Sequence, residues 1–113
     1  MDSGVHCATY KFGGSSLADY QCFQQVTSLV RESVQRARTC VVVSAMGGMT
    51  DDLLQLISLA ERSESVEERL DAIEQRYVEC AACLLDPPAR ALVVDAWSDD
   101  RHPIEAKMRA ITL

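Results

Sequence analysis

The chain has 113 residues, 48% hydrophobic, 25% charged and 5% aromatic, with eleven basic against seventeen acidic side chains and a formal charge of −6. That length suits one compact domain, and that apolar share excludes a wholly disordered chain. The acidic balance argues against an electrostatic nucleic-acid binder, which needs a basic face to neutralise phosphates, but it leaves room for a local basic pocket.

No apolar run approaches the roughly 20 residues that a membrane helix needs. Met1 to Cys7 carries Asp2 and lacks the basic start and apolar core of a secretory signal. Cys7, Cys22, Cys40, Cys80 and Cys83 are an odd set that fits reduced thiols in the cytoplasm better than a disulfide framework. Cys80 and Cys83 form a lone C-x-x-C with only His6 and His102 to complete a ligand set. They read as small side chains on a buried helix face, and no metal site is assigned.

In chain order, Val5 to Phe12 is a β-friendly run that stops at Gly13-Gly14. Ser16 stands where an N-cap belongs, with Asp19 three residues on as an acidic capping-box partner. Tyr20, Phe23, Thr27, Val30 and Val34 then recur at spacings of three and four, predicting a helix to about Arg38. Cys40 to Val43 is continuously apolar, the pattern of a strand buried on both faces of a parallel sheet. After Gly47-Gly48, Thr50 is placed to cap a second helix, with Asp51 and Asp52 in its first turn and Leu53, Leu56, Ile57 and Ala60 facing inward.

Ser65 and Glu68 suggest another capping box, followed by the stripe Val66, Leu70, Ile73, Tyr77, Ala81 and Leu84. Asp86-Pro87-Pro88 marks a break, and Pro88 can open a short helix through Trp97. Asp99-Asp100 and Pro103 punctuate again before an amphipathic stretch through Ile104, Met108 and Ile111. The fold class is therefore α/β: two parallel strands with helices over about residues 1–64, then a helical extension over 65–113. Two strands make a poor sheet, so residues 1–113 are expected to be the opening piece of a larger domain.

Two motifs can carry chemistry. In Lys11-Phe12-Gly13-Gly14-Ser15-Ser16, paired glycines after a strand let backbone N–H groups approach an anion, and the following helix points its positive end the same way. Lys11 can then place an ammonium over a transferring phosphoryl group. The same residues also serve as a plain tight turn beside a solvated lysine. Neither a Walker A loop nor a Rossmann fingerprint is present. The second motif, Val41 to Asp51, repeats the pattern of strand, small-residue loop and helix start. Adjacent parallel strands bring both loops to one carboxyl edge, where open α/β sheets bind ligands. Thr50 suits either a cap or a donor to a ligand carboxylate.

The ordered pair Lys-Phe-Gly-Gly-Ser-Ser and Val-Val-Val-Ser-Ala-Met-Gly-Gly-Met-Thr-Asp resembles the start of an aspartokinase, a family of the amino acid kinase (carbamate-kinase-like) fold. Lys11 to Asp19 is especially similar to the kinase part of bifunctional aspartokinase/homoserine dehydrogenases, and the helical stretch after Leu53 resembles a helical insertion there. Residues 9 to 52 carry the diagnostic motifs. The resemblance implies phosphorylation of the β-carboxylate of L-aspartate with Mg-ATP as substrate, the first step toward lysine, threonine and methionine. It makes Lys11 the catalytic lysine, and Lys11, Phe12, Gly13, Gly14, Ser15, Ser44, Gly47 and Gly48 the ATP-binding residues. Thr50 becomes the contact to aspartate.

The family's downstream His-Gly-Glu segment, later nucleotide-binding strands and regulatory ACT domains are missing. The chain is therefore expected to be inactive alone. Its expected partners are L-aspartate and ATP, with no nucleic acid or membrane, in a cytoplasmic homo-oligomer. The alternatives are another amino acid kinase of this fold, for glutamate, acetylglutamate or a nucleotide, and a non-catalytic helical module dimerising through Val66 to Leu84.

Overall fold

A computed structural model describes residues 6–111; Met1 to Val5, and with them the predicted first residue of the first strand, lie outside this range, as do Thr112 and Leu113. The chain divides into two compact units, Met1–Gly47 and Gly48–Leu113. The architecture is α/β, two parallel strands accompanied by helices.

The first unit is a strand–helix–strand. Strand β1 (Cys7–Phe12) pairs in parallel with β2 (Arg38–Val43), in register from Cys7 opposite Arg38 to Phe12 opposite Val43. Helix α1 (Tyr20–Arg36) connects them, as parallel neighbours require a crossover. Side chains alternate along β1: Ala8, Tyr10 and Phe12 turn inward while Cys7, Thr9 and Lys11 are exposed. The Tyr10 and Phe12 rings stack on the inner face with centroids 6.2 Å apart. The Ser33 and Thr39 hydroxyls, 2.8 Å apart, tie the end of α1 to β2.

Several expectations change here. The cap of α1 is Asp19, not Ser16: its carboxylate accepts from the Cys22 N–H at 2.9 Å, while residues Gly14–Leu17 form a separate 3₁₀ turn. A carboxylate next to the helix start outcompetes a hydroxyl four residues away, because capping reaches only the first turn. The helix stops at Arg36, since Arg38 already pairs in β2. Its inward face is Phe23, Val26, Val30 and Ser33; Tyr20, Thr27 and Val34 are exposed. Strand β2 is not buried on both faces. Val41, Val42 and Val43 are 38%, 47% and 60% exposed, because a two-stranded sheet offers too few neighbours to cover them.

The second unit is three helices, α2 (Met49–Glu61), α3 (Glu67–Leu84) and α4 (Pro87–Arg109), which all pack on one another. Its core comprises Met49, Leu56, Ala60, Val66, Leu70, Ile73, Ala81 and Trp97. Leu53 and Ile57, expected inward, are exposed at 39% and 38%, and Met49 takes the inward place instead. Helix α2 ends with Ser63 in the left-handed region (φ 57°), where the Ser63 and Glu64 N–H groups return to Ala60 and Leu59. At α3 the Ser65 hydroxyl accepts only a long bond from the Glu67 N–H, 3.4 Å, and Val66 is the cap residue, so no reciprocal box forms. The stripe from Val66 to Leu84 is used up inside this unit, with Leu70 and Ile73 fully enclosed. Tyr77 and Leu84, also on that stripe, are half-buried.

Helix α4 starts at Pro87 rather than Pro88, capped by Asp86, whose carboxylate accepts from the Ala89 N–H at 3.0 Å. It is one helix, not two. Asp99, Asp100 and Pro103 do not break it: proline removes one backbone donor, but the helix continues to Arg109. Upstream, Trp97 is buried against Tyr77, ring centroids 5.2 Å apart. Alongside, Arg101 reaches Asp71 at 2.8 Å, Glu74 at 3.5 Å and Glu105 at 3.5 Å, joining α3 to α4. Of the C-x-x-C pair, Cys80 is half-buried but Cys83 is exposed, so the two do not share a buried face.

Candidate functional site

At the carboxyl edge of the first unit's sheet, β1 and β2 release their loops side by side. The last ladder pair is Phe12 with Val43, and the Ser44 N–H extends the pairing by donating to the Phe12 carbonyl at 3.1 Å. Lys11 lies one residue before this edge, opposite Val42, with its side chain exposed. Phe12 contributes a buried ring to the core, so only its backbone belongs to the edge.

The two glycine loops touch. A Cβ on Gly14 would meet the Gly47 Cα at 3.3 Å, and one on Gly47 would meet the Gly14 carbonyl oxygen at 2.7 Å and Ala18 at 3.2 Å. Gly14 and Gly47 are therefore glycines because backbone lies on backbone. Gly13 differs: nothing lies within 4 Å of where its Cβ would be, so the side of the chain away from the Gly14–Gly47 contact is open. Its carbonyl accepts from the Ser16 N–H at 3.1 Å. Ser15 is exposed. The Ser44 hydroxyl is turned onto the Ala45 carbonyl at 2.7 Å.

The expected helix dipole does not serve this loop. Helix α1 begins only at Tyr20, and its N-terminus already holds the Asp19 carboxylate. The N–H of Cys22, then its thiol and more weakly the N–H of Gln21, hold the Asp19 pKa below its ordinary 3.8. Anion binding at the edge thus falls to loop amides and Lys11.

Gly48 and Thr50 open the second unit. Gly48 is the cap residue of α2 in a left-handed conformation (φ 82°), with no side-chain cap. Thr50 is the second residue inside the helix, exposed, and does not cap it. The chain needs φ > 0 to turn into α2, and glycine takes that position at no steric cost.

Sequence reasoning missed two charged clusters. Asp52, in the first turn of α2, pairs with Arg76 at 3.2 Å and with Arg69 at 4.0 Å; Arg101 gathers its three carboxylates. The seven-residue spacing of Arg69 and Arg76, two helical turns, was the available signal. A cleft of about 520 Å³ in the same unit, lined by Met49, Leu53, Tyr77, Trp97 and Ile104 among others, contains none of the residues chosen from sequence.

No family model matches the chain. It is 33% identical over 112 residues to the chloroplastic bifunctional aspartokinase/homoserine dehydrogenase of Daucus carota, which covers 98% of this chain and 12% of that protein. It is 34% identical over 68 residues to bifunctional aspartokinase/homoserine dehydrogenase 2 of Escherichia coli, covering 60% of this chain and 8% of the relative. In structure it is similar to the aspartate kinase of Clostridium acetobutylicum, with a TM-score of 0.69 and 25% identity over 89% of this chain and 24% of that one. The chain thus spans about an eighth of the length of the first curated relatives it matches. Sequence and fold both relate it to the aspartokinases, and its fold is amino-acid-kinase-like.

Proposed function

We propose that this chain is the opening part of an aspartate kinase, which with the rest of its catalytic domain transfers the γ-phosphoryl group of Mg-ATP to the β-carboxylate of L-aspartate. The observation that carries the reading is the interlock of the Gly14 and Gly47 loops at one sheet edge, one residue beyond Lys11. Adjacent loops at the carboxyl ends of parallel strands are where α/β sheets bind ligands. Phosphoryl transfer is catalysed mainly by positioning and charge stabilisation, which loop amides and one lysine can supply.

In this reading Lys11 stabilises the transferring phosphoryl group. Gly13, Gly14 and Ser15 cradle ATP phosphates through their amides, and Ser44, Gly47 and Gly48 line the reaction centre. Thr50 donates to substrate aspartate. Magnesium arrives with ATP, and no residue of this chain is assigned to it. The working protein is a cytoplasmic homo-oligomer; an odd set of five cysteines fits a reducing compartment.

Coupled ADP release, with aspartate and Mg-ATP, tests the reading in two proteins. The longer enzyme should turn over in an aspartate-dependent way, and this chain alone should not exceed a control lacking aspartate. A longer enzyme that ignores aspartate overturns the assignment. Turnover by the chain alone overturns its expected inactivity.

A further inference from the structure

We infer that Arg76, anchored by Asp52, is a positioning residue for the Gly48–Thr50 turn and thereby for aspartate binding; the aspartate part rests on the function proposed above. Glycine at φ 82° makes the turn possible but does not hold it, because glycine visits both signs of φ freely. Something else must hold Gly48 where α2 begins. The Asp52 N–H donates to the Gly48 carbonyl at 3.0 Å, closing the first turn of the helix. The Asp52 carboxylate is held from α3: Oδ2 accepts a hydrogen bond from the Arg76 Nη1 at 3.2 Å, while the Arg69 Nη1, 4.0 Å from Oδ1, adds positive charge without a hydrogen bond. The Arg76 hydrogen bond, reaching from the next helix, is what restrains the carboxylate.

The Arg76 Nη1 also lies 3.9 Å from the place a Cβ on Gly48 would occupy. One guanidinium therefore borders the glycine and holds the carboxylate four residues on. The side chains of Arg76 and Asp52 are only 29% and 22% exposed, so solvent and salt screen the pair less than a surface pair. Thr50 lies between the two tied points, Gly48 and Asp52. If the tie is lost, Gly48 is free to leave the left-handed region, and the hydroxyl two residues on moves with it.

The test has two arms. In the 113-residue chain, amide hydrogen exchange is read by NMR for Asp52 and, as reference, for Leu70, whose N–H is bonded to the carbonyl of Val66 at the start of α3. Arg76→Met keeps the aliphatic stem and removes the charge. It should speed exchange at Asp52 by about tenfold or more, with Leu70 within about twofold, while Arg76→Lys stays close to wild type. Equal acceleration at both amides, or none at Asp52, overturns the proposal. If Arg76→Met does not fold, the near-isosteric Asp52→Asn is read by the same criteria.

In the longer enzyme, Arg76→Met should raise KM for aspartate about fivefold or more, with KM for ATP within about twofold and restoration by Arg76→Lys. An unchanged KM for aspartate overturns the positioning role even if exchange accelerates. An enzyme without aspartate kinase activity overturns the proposed function instead, and the exchange arm still decides whether Arg76 holds the turn.

Discussion

The carbonyl oxygen of Gly14 lies 2.7 Å from where a Cβ on Gly47 would stand, so the two loops at the sheet edge interlock through bare backbone. Nothing on that side of either loop is a flexible side chain able to yield. Gly47→Ala should therefore destabilise the chain by about 1–3 kcal/mol, the usual cost of overpacking, read as a lower urea midpoint. Gly13→Ala makes the contrast. With φ −80° and open space around it, it should change stability by less than about 0.5 kcal/mol while raising KM for ATP in the longer enzyme. Equal destabilisation by the two variants would show that the interlock is not what requires glycine.

Asp19 predicts a pH dependence. Its carboxylate caps α1, and the Cys22 N–H lowers its pKa from the ordinary 3.8. A depressed folded-state pKa contributes stability that is present above the unfolded value and is lost as pH falls through the folded one. Asparagine caps comparably but carries no charge. Thermal melts of wild type and Asp19→Asn should thus show wild type the more stable near neutral pH, with the gap closing below the ordinary carboxylate range. A gap independent of pH would refute the charged cap.

How much was legible in the sequence depends on whether the signal was local. Strand β1, strand β2, the glycine turns and the inward stripe of α3 follow from short-range pattern, and the structure has them. Caps were misplaced where two candidates stood within a few residues: Asp19 displaced Ser16, and Gly48 displaced Thr50. Pro103 was misjudged because the helix around it is held from outside, by Trp97 and the Arg101 cluster, which no local pattern reports. The loop contact between Gly14 and Gly47 is a 33-residue separation closed by β pairing; the sequence put both loops on one edge but did not show that they touch.

Lys11 should separate catalysis from stability. Its side chain is exposed on β1, so Lys11→Ala should leave the urea midpoint nearly unchanged. In the longer enzyme the same change should lower kcat by roughly 10²–10³, about 3–4 kcal/mol, as for loss of one pre-placed transition-state charge. A variant within about threefold of wild type would return Lys11 to the status of a solvated edge residue.

The outward valines of β2 should make the chain self-associate. Val41, Val42 and Val43 are substantially exposed on a strand of a sheet that has two strands among the described residues, and its outer edges have no strand partner there. Sedimentation velocity over a concentration series should show growing oligomer, and Val42→Lys should suppress it. A chain that stays monomeric throughout would contradict this.

Thr50 can be tested free of the capping ambiguity that its sequence position suggests. Because Gly48 caps α2 and Thr50 is exposed inside its first turn, no helix-start bond is lost when the hydroxyl goes. Alanine is the better helix former by about half a kcal/mol, so Thr50→Ala should leave the chain as stable as wild type or slightly more so. A loss of about 1 kcal/mol or more would instead mean that the hydroxyl does cap. With stability held constant, the longer enzyme isolates the ligand role: Thr50→Ala should raise KM for aspartate severalfold and spare KM for ATP. Thr50→Ser keeps the hydroxyl and should restore most of the affinity. If serine and alanine behave alike, the hydroxyl does not meet the substrate carboxylate, and the aspartate contact lies elsewhere.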